Sequence, residues 1–135
     1  MPIFISQEQG HLLKAEYMGF EILSGKVSKD AEYQAIPYGM YMVAGLGLCT
    51  TVTAIWRVEE LGYKAEDVEA VVNYKPDETE TFVTDFDIDI SLKTDMPEAD
   101  VGDVVEAAKN CFAQLTIRNQ PKMRVSLKIK DMGSA

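Results

Sequence analysis

The chain has 135 residues, 47% of them hydrophobic, and a formal net charge of -9. That length makes one domain spanning residues 1–135, since cores divide only beyond roughly 250–300 residues. The acidic balance excludes a nucleic-acid binder, which needs a basic face to displace counterions, and disfavours docking on anionic lipid.

Residues 2–6 (PIFIS) read as a short strand, and Gln7–Gly10 as a turn. From His11 to Val27 the pattern alternates loosely, with Tyr17, Phe20, Ile22 and Leu23 as apolar points. Gly19 marks a bulge in that run and Gly25 a turn, and Ala31–Ile36 reads as a third short strand.

Tyr33–Trp56 (YQAIPYGMYMVAGLGLCTTVTAIW) carries no charged residue and holds Cys49. Pro37 is placed to open a long helix, where its missing N–H costs nothing. The helix runs to Leu61, and Gly62 stands where a left-handed C′ residue belongs. Gly45, Cys49 and Thr53 share one face at i, i+4 spacing and permit a close approach by another backbone. About 20 apolar residues suffice to span a bilayer. Three Thr, three Gly, a Gln and a Pro dilute this segment, however, and basic residues collect on neither flank. Burial inside protein is therefore expected, with no membrane partner.

Val68–Tyr74 reads as a strand and Lys75–Glu80 as a turn. Phe82–Lys93 alternates cleanly, with Phe86, Ile88, Ile90 and Leu92 on one face and Asp85, Asp87, Asp89, Ser91 and Lys93 on the other. The aspartates repeat about 6–7 Å apart with no converging loop, which describes a solvated face and not a cation site. Asp100 then caps a second helix whose apolar stripe is Val101, Val104, Val105, Ala108, Phe112 and Leu115, with Cys111 at its edge. Pro121 ends it, and Met123–Ile129 alternates into a last strand. The expected class is α+β: an antiparallel sheet with a long central helix and a second amphipathic helix.

The two cysteines belong to no CxxC, and there is a single histidine, His11, so no metal site is expected. The N-terminal MPIFISQEQGH has no basic stretch followed by an apolar run, which predicts no secretory signal and a cytoplasmic location. Two thiols in a reducing compartment suit transient, catalytic disulfide chemistry.

The segment AGLGLCTTVTAIWRVEELGYKAEDVEAVV resembles the central-helix signature of the OsmC/Ohr family, the osmotically induced and organic-hydroperoxide-resistance proteins. VVEAAKNCFAQLTI is similar to that family's second signature, an Ala-rich amphipathic helix ending in Cys and an apolar pair. The resemblance covers Ile36 to Ile129. It implies an intertwined homodimer that buries the central helices, and a thiol peroxidase acting on organic hydroperoxides. Cys49 would be the peroxidatic residue and Cys111 the resolving one. No cofactor is implied beyond an external dithiol reductant. In the family an Arg from the N-terminal region, held by a Glu, activates the first thiol. Here Gly39 and Met40 stand at the Glu position and no Arg precedes Arg57, which leaves Lys14, Lys26, Lys29 or His11 as substitute cations. Phe112 stands where a Pro is common. The alternative that these departures raise is a non-catalytic module of the same fold, binding a small apolar ligand among Met40, Met42 and aromatic side chains.

Overall fold

A computed structural model describes residues 2–131. Its first three strands, β1 (Phe4–Gln9), β2 (Leu12–Tyr17) and β3 (Phe20–Ser24), form an antiparallel meander in that order. The run from His11 to Val27 is thus two strands and not one bulged strand. Met18 and Gly19, with φ of 52° and 85°, make the two-residue turn between them, and Tyr17 pairs directly with Phe20. Two consecutive left-handed residues match the twist of a hairpin, which is why the reversal falls on a glycine.

Ala31–Ile36 does not become a strand. Gln34 and Ala35 both donate their N–H groups to the Gly25 carbonyl, and the Gly25 N–H goes to Ile36, so this loop spends its backbone groups internally. Among the described residues no other strand or helix brings its backbone against the meander. It is tethered through side chains: the Tyr41 hydroxyl donates to Leu23 O at 2.6 Å and the Tyr38 hydroxyl to His11 O at 2.7 Å.

Helix α1 (Met40–Glu60) begins three residues after Pro37, whose carbonyl accepts the Met40 N–H. At its end Gly62 has a φ of 91°, with Gly62 N–H bonding Glu59 O and Tyr63 N–H bonding Val58 O. This pair of bonds satisfies the last carbonyls through a left-handed residue, as expected for a glycine there. On the face of Gly45, Cys49 and Thr53 another backbone does arrive, at Cys49, whose Sγ accepts the Ala113 N–H at 3.4 Å, and a further close approach is made at Gly47. A Cβ on Gly47 would stand 2.5 Å from Val72 Cγ2, whereas Gly45 faces open space.

Strands β4 (Glu66–Pro76) and β5 (Val83–Lys93) form an antiparallel hairpin, with Val72 opposite Ile88 and Ala70 opposite Ile90. Its loop is organised by Asp77, whose carboxylate accepts from the Thr79 hydroxyl and from the backbone N–H groups of Thr81 and Phe82. Phe86, Ile88, Ile90 and Leu92 are half-buried and the aspartates between them exposed, as the alternation requires.

The second helix departs from expectation. A single 3-10 turn leads into α2 (Val101–Ala108), the chain breaks at Lys109–Cys111, and α3 (Phe112–Arg118) follows. The Asn110 side chain donates to Glu106 O, and Cys111 is extended at φ -69° and ψ 162°. An Asn amide competes for helix carbonyls in this way, which makes it a natural breaking point. The break leaves Val101, Val105, Phe112 and Leu115 exposed, so only Val104 and Ala108 of the predicted stripe enter the core. Asp100 holds the cap position, but its carboxylate accepts the Tyr63 hydroxyl instead of a helix N–H.

The core is small: Ala54 and Val58 from α1 meet Val104 and Ala108 from α2, with Ile90, Leu92 and Met96 packed around them. The predicted last strand is absent as such. Met123, Val125, Leu127 and Ile129 are 87–97% exposed, and Met123–Ile129 pairs with no other segment among the described residues. A strand requires a partner for its ladder, and the described residues offer the segment none.

Candidate functional site

Cys111 is only 2% exposed and sits as the N-cap of α3. A cap residue's side chain accepts a hydrogen bond from the second or third helical N–H, and here the cap is a sulfur: Gln114 N–H donates to Cys111 Sγ at 3.4 Å. One position earlier, Ala113 N–H donates to Cys49 Sγ, also at 3.4 Å. The break between α2 and α3 therefore places the first turn of α3 against the middle of α1. Both sulfurs take backbone donors from that one turn.

Two further side chains complete the cluster. Thr50, 4% exposed, has its Oγ1 at 3.5 Å from Cys111 Sγ, and Gln114 Nε2 donates to the same Oγ1 at 3.1 Å. Burial pushes the Cys111 thiol up, but donation from Thr50, the Gln114 N–H, Cys49 and the Ala113 N–H outweighs it and holds the thiol below its ordinary value. Neither Thr50 nor Gln114 was singled out in the sequence. Thr50 is adjacent to Cys49 in the chain, but Gln114 acquires its position only from the helix break.

The substitute cations lie elsewhere. Lys14 pairs with Glu16 at 3.0 Å on β2, and the Lys26 ammonium stands 4.5 Å from the centre of the Tyr33 ring. Among the described residues no Lys, Arg or His donates a hydrogen bond to either sulfur. Arg57 grips Asp103 of α2 with both arms of its fork, each at 2.9 Å, and so fastens α1 to α2. Among the described residues there is no cluster of three or more His, Cys, Asp or Glu side chains able to hold a metal ion.

Beside the thiols runs a cleft of about 600 Å³ between β5 and α2, floored by Thr50 and Gln114 and walled by Phe86, Ile88, Val105 and Met96. Its floor is the pair of residues that touches Cys111. Met40 and Met42, expected to line a ligand pocket, do not contribute to it.

The model of the OsmC-like protein family matches residues 39–126, a span that takes in both cysteines, α1, the β4–β5 hairpin and the α2–α3 break. The chain belongs to the OsmC-like family. The OsmC-like protein of Mycoplasma pneumoniae superposes with a TM-score of 0.72 at 14% identity, covering 88% of this chain and 87% of that one. An OsmC-like hydroperoxide resistance protein from Jannaschia gives 0.56 at 23% identity, over 90% and 85% of the two chains. The organic hydroperoxide resistance protein OhrB of Bacillus subtilis gives 0.50 at 16% identity, over 89% and 93%. No curated protein matches the sequence. At these identities the likeness establishes the OsmC-like fold, an α+β arrangement of antiparallel sheets around a long helix.

Proposed function

We propose that this OsmC-like chain is a cytoplasmic thiol peroxidase that reduces organic hydroperoxides, with Cys49 as the attacking thiol and Cys111 as the resolving one. The observation that carries the reading is the convergence of both sulfurs on the first turn of α3, through Ala113 N–H and Gln114 N–H. Cys49 is the more accessible of the two, half-buried where Cys111 is buried, which suits it to meet the peroxide first. Its thiolate attacks the O–O bond: an S–O bond forms, the alkoxide leaves and takes up a proton, and Cys49 becomes a sulfenic acid. Cys111 then attacks the Cys49 sulfur, the S–O bond breaks, and hydroxide departs as water. An external dithiol returns the two electrons.

The working unit is a homodimer. A folded monomer of 15.0 kDa presents about 7,000 Å² of accessible surface, and this chain presents 10931 Å². The excess, about 4,000 Å² on each chain and so about 8,000 Å² on two, is more than enough for the roughly 2,000–5,000 Å² or more in total that obligate dimers bury. The open faces are those a second copy would fill: the meander with Phe4 and Phe20, the α1 side chains Met42, Leu48 and Trp56, and the arm at Met123–Ile129. Apolar positions in the arm alternate with Arg124 and Lys128, and those of β5 alternate with Asp87 and Asp89, so the two segments are complementary in charge. Although α1 is long and apolar enough to cross a bilayer, a second copy covers it without lipid.

The deciding experiment is hydroperoxide consumption with a dithiol reductant. Cys49→Ser abolishes turnover, and Cys111→Ser leaves a single oxidation that a sulfenic-acid reagent traps. Turnover that persists in Cys49→Ser overturns the mechanism. The apolar cleft favours a second reading, a ligand-binding module, which saturable binding of an apolar fluorophore without any peroxide consumption would establish.

A further inference from the structure

The hydrogen bonds around Cys111 have a direction. Gln114 Nε2 donates to Thr50 Oγ1 at 3.1 Å, which leaves the hydroxyl its own proton and a second lone pair. Cys111 Sγ lies 3.5 Å from the same Oγ1, and once that sulfur is a thiolate only Thr50 can be the donor between them. Thr53, one turn along α1, behaves as helix threonines commonly do and donates to the Cys49 carbonyl at 2.7 Å. Thr50 instead stands against a sulfur, to which it donates when that sulfur is ionised. Gln114 thus acts on Cys111 twice, once through its backbone N–H and once through Thr50.

We propose that Thr50 and Gln114 are positioning residues for disulfide closure, presenting Cys111 as a ready thiolate aimed at Cys49. The proposal rests on the peroxidase reading given above. A neutral thiol is a weak acceptor and a thiolate a strong one, so a nearly inaccessible sulfur ringed by donors favours the charged form. The groups facing it are the Thr50 hydroxyl and the Cys49 thiol from α1, and the Ala113 and Gln114 N–H groups from α3. Among the described residues no Lys, Arg or His donates a hydrogen bond to this sulfur. When Cys49 carries the sulfenic acid, Cys111 attacks without first losing a proton: the S–S bond forms, the S–O bond breaks, and hydroxide leaves.

The test reads Cys111 directly, in reduced Cys49→Ser protein, by ultraviolet thiolate absorbance against pH. The parent is expected to titrate below the ordinary cysteine value of about 8.5. Thr50→Val, which keeps the shape and removes the hydroxyl, is expected to cut the thiolate fraction near neutral pH about tenfold, the effect of one lost hydrogen bond to a charge. Thr50→Ser restores it, and Gln114→Ala shifts it the same way by less. In protein with both thiols, Thr50→Val slows disulfide closure and lets sulfenic acid accumulate. If Thr50→Val does not fold, Gln114→Ala decides. Titration curves that coincide with the parent's in the variants overturn the proposal even if peroxidase turnover persists. A shifted curve in protein that consumes no peroxide upholds the donor arrangement and removes the peroxidase reading.

Discussion

Gly47 of the long helix lies directly against Val72 of the β4–β5 hairpin, with a Cβ on Gly47 reaching to 2.5 Å of Val72 Cγ2. A β-branched side chain has little freedom to retreat from such a contact. Gly47→Ala is therefore expected to destabilise the protein despite the gain of up to about 1 kcal/mol in helix propensity. Val72→Ala in the same chain makes room and recovers that gain. Denaturant unfolding of the two single variants and the double variant measures the coupling, which vanishes if the helix and hairpin do not meet here.

Val58 is fully buried at the centre of the small core, between Ala54 of α1 and the Val104–Ala108 face of α2. Val58→Ala removes two methyl groups and leaves a cavity, for a loss of roughly 2 kcal/mol. Equilibrium unfolding checks this, and a loss below about 0.5 kcal/mol would mean that the core closes over the gap.

Formation of a Cys49–Cys111 disulfide closes a loop through the whole hairpin and α2. Chain entropy alone then stabilises the oxidised protein by roughly 4 kcal/mol over the reduced one. Melting of the two forms should differ by several degrees, with the difference absent in Cys111→Ser. Equal melting temperatures would mean that closure strains the α2–α3 break by as much as it restrains the unfolded chain.

Because the Cys111 thiol is held low, the reduced protein should gain stability as pH rises from the folded value towards the ordinary cysteine range. In that window the unfolded state binds the proton that the folded state has released, so unfolding free energy increases with pH. The gain is complete above the unfolded value and lost as pH falls through the folded one. Melting of reduced protein from neutral to mildly alkaline pH should show this slope, and Cys111→Ser should flatten it.

On the acid side, the Thr79 hydroxyl and the N–H groups of Phe82, Thr81 and Thr79 hold the Asp77 carboxyl down at about 2. A depressed carboxylate stabilises the fold above its unfolded value and loses that contribution as pH falls through the folded one. The β4–β5 loop should therefore loosen between about pH 4 and pH 2. Amide exchange of Thr81 and Phe82 in that range is the measurement, and Asp77→Asn should show the loosened loop already at neutral pH.

Some of this was legible in the residues themselves. The uncharged run and Gly62 located α1 and its end, and the alternation from Phe82 to Lys93 gave β5 with the correct face inward, because periodicity and end chemistry are local properties. Both signatures around Cys49 and Cys111 pointed to the OsmC-like family. What only the tertiary structure decided is where those local pieces stop and what they meet. The helix predicted through Cys111 breaks just before it, since Asn110 bonds back to Glu106 while Cys111 takes up the capping of α3. That break aims two N–H groups at two sulfurs and carries Gln114 to Thr50, a meeting 64 residues apart that no local pattern encodes. The helix glycine that meets the hairpin is Gly47 and not Gly45, because that depends on which way the hairpin lies. Met123–Ile129 has the alternation of a strand yet pairs with nothing among the described residues, because a strand is completed by a neighbour's hydrogen bonds and not by its own sequence.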